Sequence, residues 1–126
     1  NILKDVSDQS RLRMLPPQDL AEYATLLLSY SAYLTGQEGR LTAYINWCET
    51  NLRFLVGKEL QNAPGYGFQE KDCYIRANDS NAAKLEERKM IASVKHDSIK
   101  YLAQKIGFLA ESVKNLAFEK RKVLHE

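Results

Sequence analysis

The side chains able to do acid–base, nucleophilic or metal chemistry are few in this sequence and poorly placed for it. His96 and His125 are the only histidines, and neither stands four residues from a cysteine or from the other. That spacing is what sets two metal ligands on one helix face. Cys48 and Cys73 are too few and too unpatterned for a disulfide framework or a zinc site, and they read as reduced thiols in a cytosolic setting. His96 and Asp97 are adjacent, so on a helix they are expected on different faces rather than as a base and its orienting carboxylate. Glu86-Glu87 and Glu111 read as solvated helix surface. Neither phosphate-binding pattern, GxxxxGK[ST] or GxGxxG, is present. With no cluster to bring a nucleophile, a base and an oxyanion donor together, the expectation is a non-enzyme with no metal and no cofactor.

What remains is binding. Arg53 and Lys58 precede the Gly/Pro-rich stretch Asn62-Ala63-Pro64-Gly65-Tyr66-Gly67, and Lys71 and Arg76 follow it. Phe54, Tyr66, Phe68 and Tyr74 interleave with these cations. Cations neutralise phosphates while exposed aromatic rings stack on unpaired bases, the logic of sequence-tolerant single-strand binding. Arg53, Lys58, Tyr66, Phe68, Lys71 and Arg76 are therefore the candidate nucleic-acid contacts. An ordinary hairpin tip carries the same residue types, and both readings stand at this stage. A second basic cluster, Lys84, Arg88, Lys89 and Lys95, follows further along. Glu119-Lys120-Arg121-Lys122 sets cations near a helix C-terminus, where they complement its dipole without any ligand.

Charge supports the same division. The net charge is only +2, but residues 1–70 hold six Lys/Arg against eight Asp/Glu, and residues 71–126 hold twelve against eight. A basic half fits a polyanion partner or a solvated helix face. Apolar residues at 44% and charged residues at 27% are ordinary for a soluble domain, so a packed core is expected. No apolar run approaches a membrane span, and the mixed, polar opening Asn1-Ile2-Leu3-Lys4-Asp5 is unlike a secretory leader. The expected setting is cytoplasmic.

The elements that would position these residues are set by an apolar ladder of sevenfold spacing, written once on each side of the Gly/Pro-rich stretch. Upstream it reads Leu20, Leu27, Leu34, Leu41, Cys48, Leu55. Downstream, Leu85, Ala92, Ile99, Ile106 and Val113 share a seam with Leu102, Leu109, Leu116 and Val123. A sustained seven-residue period marks a coiled-coil seam. The fold class predicted is all-α: a long antiparallel two-helix hairpin, coiled-coil-like, with an N-terminal arm, and oligomeric. The arm covers residues 1–16, with room for one short helix, since Pro16-Pro17 favours a helix start at Pro17. The first helix covers 17–62, the turn 63–72 and the second helix 73–124, with a cap or fray near residue 80. Leu34 and Leu41 keep their phase across Gly36 and Gly39, so the first helix is expected to continue through them.

Two features depart from plain packing. Arg88 and Lys95 occupy the second seam row before Ile99, where a dry core rejects unpaired charge. Either Lys95 pairs with Glu38 and fixes the register, or this stretch opens to solvent, another subunit or a ligand. Tyr23, Tyr30, Tyr44 and Trp47, beside Tyr33, form a second stripe on the first helix. It is wider than one partner helix covers, so these four are the candidate subunit interface.

The segment Tyr30-Ser31-Ala32-Tyr33-Leu34, the basic end of the first helix and the turn Gly65-Tyr66-Gly67 follow one another at spacings similar to those of the UvsY-type recombination mediators of tailed phages. The arm segment Leu3-Lys4-Asp5-Val6 and the long second helix also resemble that family. The resemblance implies a ring-like homo-oligomer that binds single-stranded DNA. It also implies help in loading a recombinase onto strands covered by a single-strand-binding protein. Lys58 falls nearest the family's DNA-contacting position and Arg53 lies about a turn earlier. Val56 stands where the family has a second basic residue, with Glu49 and Glu59 nearby. The rival reading is a structural or scaffolding coiled-coil subunit of a virion or other complex, with no nucleic-acid role.

Overall fold

The computed structural model describes residues 9–125, and every described element is helical. Helix α1 is Gln9–Met14, α2 is Pro17–Glu59, a 3-10 turn covers Leu60–Asn62, α3 is Phe68–Asn78 and α4 is Ser80–His125. The resemblance segment Leu3-Lys4-Asp5-Val6 lies outside the described residues. Pro17 opens α2 where a missing N–H costs nothing, and the carbonyl of Pro16 accepts the Leu20 N–H at 3.1 Å. The described residues divide into two compact units, those up to Gly36 with those from Ile99 on, and Gln37–Ser98.

In the first unit, α2 packs antiparallel on α4. Leu20, Leu27 and Leu34 are buried with Ala24 and Leu12 against Ala103, Ile106, Ala110, Val113 and Ala117. Large residues on one helix meet alanines on the other, so the backbones approach closely. Ser31 accordingly donates its hydroxyl to the Ala103 carbonyl at 3.0 Å. Each fully buried leucine contributes about 1.5–3 kcal/mol of apolar transfer. Lys120 donates to the carbonyls of Arg13 and Leu15, tying the α1–α2 junction to α4. It therefore does more than complement the α4 dipole.

Of the upstream ladder, Leu20, Leu27, Leu34 and Cys48 are buried, whereas Leu41 and Leu55 are half-buried and Leu52 and Val56 carry the core beyond Cys48. The second downstream row is one residue further on than the sequence suggests. Leu102 and Val123 are exposed and Leu109 and Leu116 pack half-buried at the edge of the core, while Ala103, Ala110 and Ala117 are buried. Extended by sevens toward the tip, that row passes through His96, Lys89 and Ala82. Glu38 consequently meets His96, Nε2 to Oε1 at 3.4 Å, and not Lys95. The expected Glu38–Lys95 pair is thus off by one position, and Arg88 and Lys95 are exposed beside the seam.

The second unit holds three helical segments where two were expected. Its core is Leu52, Val56, Ile75 and Ala82, flanked by Leu55, Leu60, Ala63 and Leu85. Residues 68–72 belong to α3 and not to the turn, because Gly67 supplies an extended N-cap whose carbonyl accepts the Lys71 N–H at 3.1 Å. The turn is therefore short, and Gly65 enables it with φ +127°, where a Cβ would also meet Glu70 side-chain carbons at 3.1 Å. The helix expected to begin at residue 73 instead restarts at Ser80. Asp79 leaves helical geometry and its Oδ1 accepts the N–H groups of Asn81 and Ala82 at 3.0 and 2.9 Å. This is an N-cap, and it sits where the cap near residue 80 was expected.

Helix α2 continues unbroken through Gly36 and Gly39, and a Cβ built at either meets nothing within 4 Å. Each glycine costs a helix interior about 1 kcal/mol relative to alanine. The double variant Gly36→Ala/Gly39→Ala should therefore gain about 1.5–2 kcal/mol, read as a raised urea midpoint at unchanged slope. A loss of stability would mean that the glycines serve a bend or a close contact.

Candidate nucleic-acid interface

The six candidate contacts all lie in the second unit, and its packing separates them into two kinds. Tyr66 is fully exposed, Phe68 is 65% exposed and Phe54 74% exposed. The turn has no core of its own to cover these rings, since Ile75 is the one buried residue of α3. Lys58 is exposed at the end of α2 and Lys71 is half-buried in the first turn of α3. Neither ammonium has a carboxylate partner among the described residues. Arg53 is largely exposed, its Nε 3.6 Å from Glu49 Oε1 in an i,i+4 pair that contributes only a few tenths of a kcal/mol.

Arg76 is of the other kind. Its Nε donates to Asp72 at 2.9 Å, while its terminal nitrogens reach Glu49 at 3.0 Å and Glu86 at 3.1 Å. The side chain is 20% exposed. One guanidinium thus joins carboxylates from α2, α3 and α4, and its donor fork is occupied by the protein itself. Lys89 completes the cluster, its Nζ 2.7 Å from Glu49 Oε2. Hydrogen bonds from Arg76 first, then Lys89, hold the Glu49 carboxyl down at about 2, well below its ordinary 4.5. The same contacts, Glu49 foremost, raise the Arg76 guanidinium further above its ordinary value.

Glu49, which in the sequence only diluted a basic region, is the hub that fixes α3 in place. The signal for it lay in Arg76 and Lys89, two cations on helix faces that also carry core residues. Val56 is 2% exposed and packs in the core, so the position that is basic in the resembled family serves packing here.

Of the candidate interface residues, Tyr23 is half-buried against the core of the first unit. Tyr30 is 42% exposed in that unit and stacks on Tyr33, centroids 6.3 Å apart. Tyr44 and Trp47 belong to the second unit, stacked at 6.0 Å and both exposed. His96 and Asp97, expected on different faces, are in contact, Nδ1 to Oδ1 at 3.2 Å. Rotation about the side-chain bonds brings the adjacent groups together while Nε2 faces Glu38. Among the described residues no group of three or more His, Cys, Asp or Glu could hold a metal ion. Cys48 is buried and Cys73 exposed, both as free thiols. None of the described helices is long and apolar enough to cross a membrane.

Comparison of the chain with protein-family models, with curated proteins and with solved structures gives no significant match.

Proposed function

We propose that this protein is a non-enzymatic accessory factor that binds single-stranded DNA through the tip of its second unit. It acts as a homo-oligomer and assists recombinase loading on strands held by a single-strand-binding protein. The observation that carries the reading is the exposure of Phe54, Tyr66 and Phe68 beside two ammonium groups, Lys58 and Lys71, that have no carboxylate partner among the described residues. Rings left in water beside unpaired cations fit stacking on bases and neutralisation of phosphates. Arg76 is not among the contacts, because its donors are spent on carboxylates. Recombinase loading and the ring-like assembly rest on the family resemblance.

The test is fluorescence anisotropy with a labelled oligothymidylate and its duplex counterpart over a range of salt. Single strands should bind more tightly, with log affinity falling linearly in log salt. Phe68→Ala should weaken binding by about 1–3 kcal/mol, the worth of one stacked base. Arg53→Gln/Lys58→Gln should weaken it more than substitution of Lys120, Arg121 and Lys122. No binding of the wild type at low salt would rule the reading out.

A scaffolding subunit without a nucleic-acid role is favoured by a different observation: Arg53, Arg76 and Lys89 are all ion-paired to Glu49. That reading expects an assembly whose mass is indifferent to added oligonucleotide.

A further inference from the structure

A shallow recess of about 210 Å³ opens on the second unit between α2 and α4, lined by Leu41, Tyr44, Arg88, Ile91, Ala92 and Lys95. Its floor is apolar, with Ile91 50% exposed and Tyr44 39% exposed. Its two charged walls are Arg88 and Lys95, seven residues and so about 10.5 Å apart along the helix axis. Neither cation has an acidic neighbour where a helix would supply one. The positions three and four residues away are Lys84, Leu85, Ile91 and Ala92 for Arg88, and Ile91, Ala92, Ser98 and Ile99 for Lys95. The carboxylates of α2 on this side are engaged elsewhere, Glu49 with Arg76 and Lys89, and Glu38 with His96. Arg88 and Lys95 thus keep their charge unneutralised among the described residues, on either side of an apolar shelf. Tyr44 carries the shelf onward, stacked on Trp47 with an interplanar angle of 17°.

The occupant that fits is an anion with a flat apolar body between two negative groups. A single strand of nucleic acid has this form, with a base for the shelf and phosphates for the two cations. A duplex hides the faces of its bases, and an acidic peptide matches only where an aromatic residue stands between its carboxylates, whereas every nucleotide of a single strand carries both parts. We propose that this recess is a second contact for a single strand, with Arg88 and Lys95 on phosphates and a base against Tyr44 and Ile91. The proposal rests on the single-strand reading given above, and adds a site that the tip residues do not include.

Trp47 is the only tryptophan in the chain and stacks on Tyr44, so its emission reports on this shelf. The experiment compares the wild type with Arg88→Gln/Lys95→Gln and with a charge-matched control, Lys114→Gln/Lys122→Gln, after equal urea midpoints confirm intact folds. Oligothymidylate should quench Trp47 in the wild type, whereas inorganic phosphate should not. In the Arg88/Lys95 variant, affinity should fall about ten-fold or more, because charge-assisted contacts are lost. The slope of log affinity against log salt should become shallower by about 1.4, which is 0.7 for each phosphate released from a single strand. The control should keep the wild-type slope.

A wild type that binds oligothymidylate with the same slope before and after the Arg88/Lys95 change overturns the recess and leaves the tip reading standing. A wild type that does not bind overturns both. Stronger binding of duplex than of single strand also overturns the proposal, because the shelf would then have no base to meet.

Discussion

Leu52→Ala should cost about 2–5 kcal/mol, the range for a buried leucine whose surroundings collapse only in part. Leu52 is completely buried and is packed with Val56 of its own helix, Ile75 of α3 and Ala82 of α4. It is therefore a large, fully buried side chain of the core that all three segments of the second unit share. Urea unfolding should show a lower midpoint at unchanged slope. Because Ile75 is the single buried residue of α3, the cavity should also loosen that helix before the rest. Protease cleavage within 63–78 should accordingly rise more than cleavage elsewhere. A loss of under about 1 kcal/mol would show that α3 is held by its ion pairs and not by this core.

Arg76→Ala should cost about 3 kcal/mol, the lower end for breaking a buried ion pair, since the guanidinium keeps one-fifth of its exposure. The damage lies less in the lost attraction than in what stays behind. Asp72, Glu49 and Glu86 all lose a donor at once, with Lys89 and the exposed Arg53 left to serve Glu49.

The pH dependence separates this from simple loss of packing. Glu49 titrates at about 2 in the folded protein against 4.5 for the free side chain. A depressed carboxyl contributes stability that is complete above its unfolded value and disappears as pH falls through its folded value. Wild-type stability should therefore drop by on the order of 2–3 kcal/mol between pH 4.5 and about 2 through this group alone. In Arg76→Ala the largest cause of the depression is gone, and that acid limb should flatten. A variant with the same acid limb as the wild type would assign the depression to Lys89.

Small residues and distant partners are what local spacing in this sequence does not reveal. Leu20, Leu27, Leu34 and Cys48 declared their row because three of the four are large and strongly apolar. Ala103, Ala110 and Ala117 did not, since alanine is unremarkable in hydropathy, and the adjacent row of Leu102, Leu109, Leu116 and Val123 attracted the assignment instead. The displaced row was detectable through Arg88 and Lys95, two charges that no core would accept.

The start of α3 at Phe68 and its separation from α4 are not legible in the sequence, because one buried residue, Ile75, leaves no periodic stripe to read, and because Gly65 and Gly67 make the following residues resemble more turn. The exposed rings of the tip were legible from composition alone. The commitment of Arg76 was not, for its partner Glu49 lies 27 residues away and local spacing is blind to such a pair.

The tie between Lys120 and the α1–α2 junction has a consequence for the order in which the chain assembles. Contacts in the second unit join residues separated by 10, 27, 40 and 58 positions. Those in the first unit join residues 72 positions apart at Ser31 and 107 apart at Arg13. Closing the widest of these loops first, instead of the 27-residue one, would cost about 1.2 kcal/mol more in chain entropy, before any core is formed to repay it. Nucleation thus belongs at the tip, around Leu52 and Ile75. Each pairing made there shortens the effective loop for the next, and the α1–α2 junction is the last to close. The part of the protein that would meet a strand is, on this account, the first part to exist.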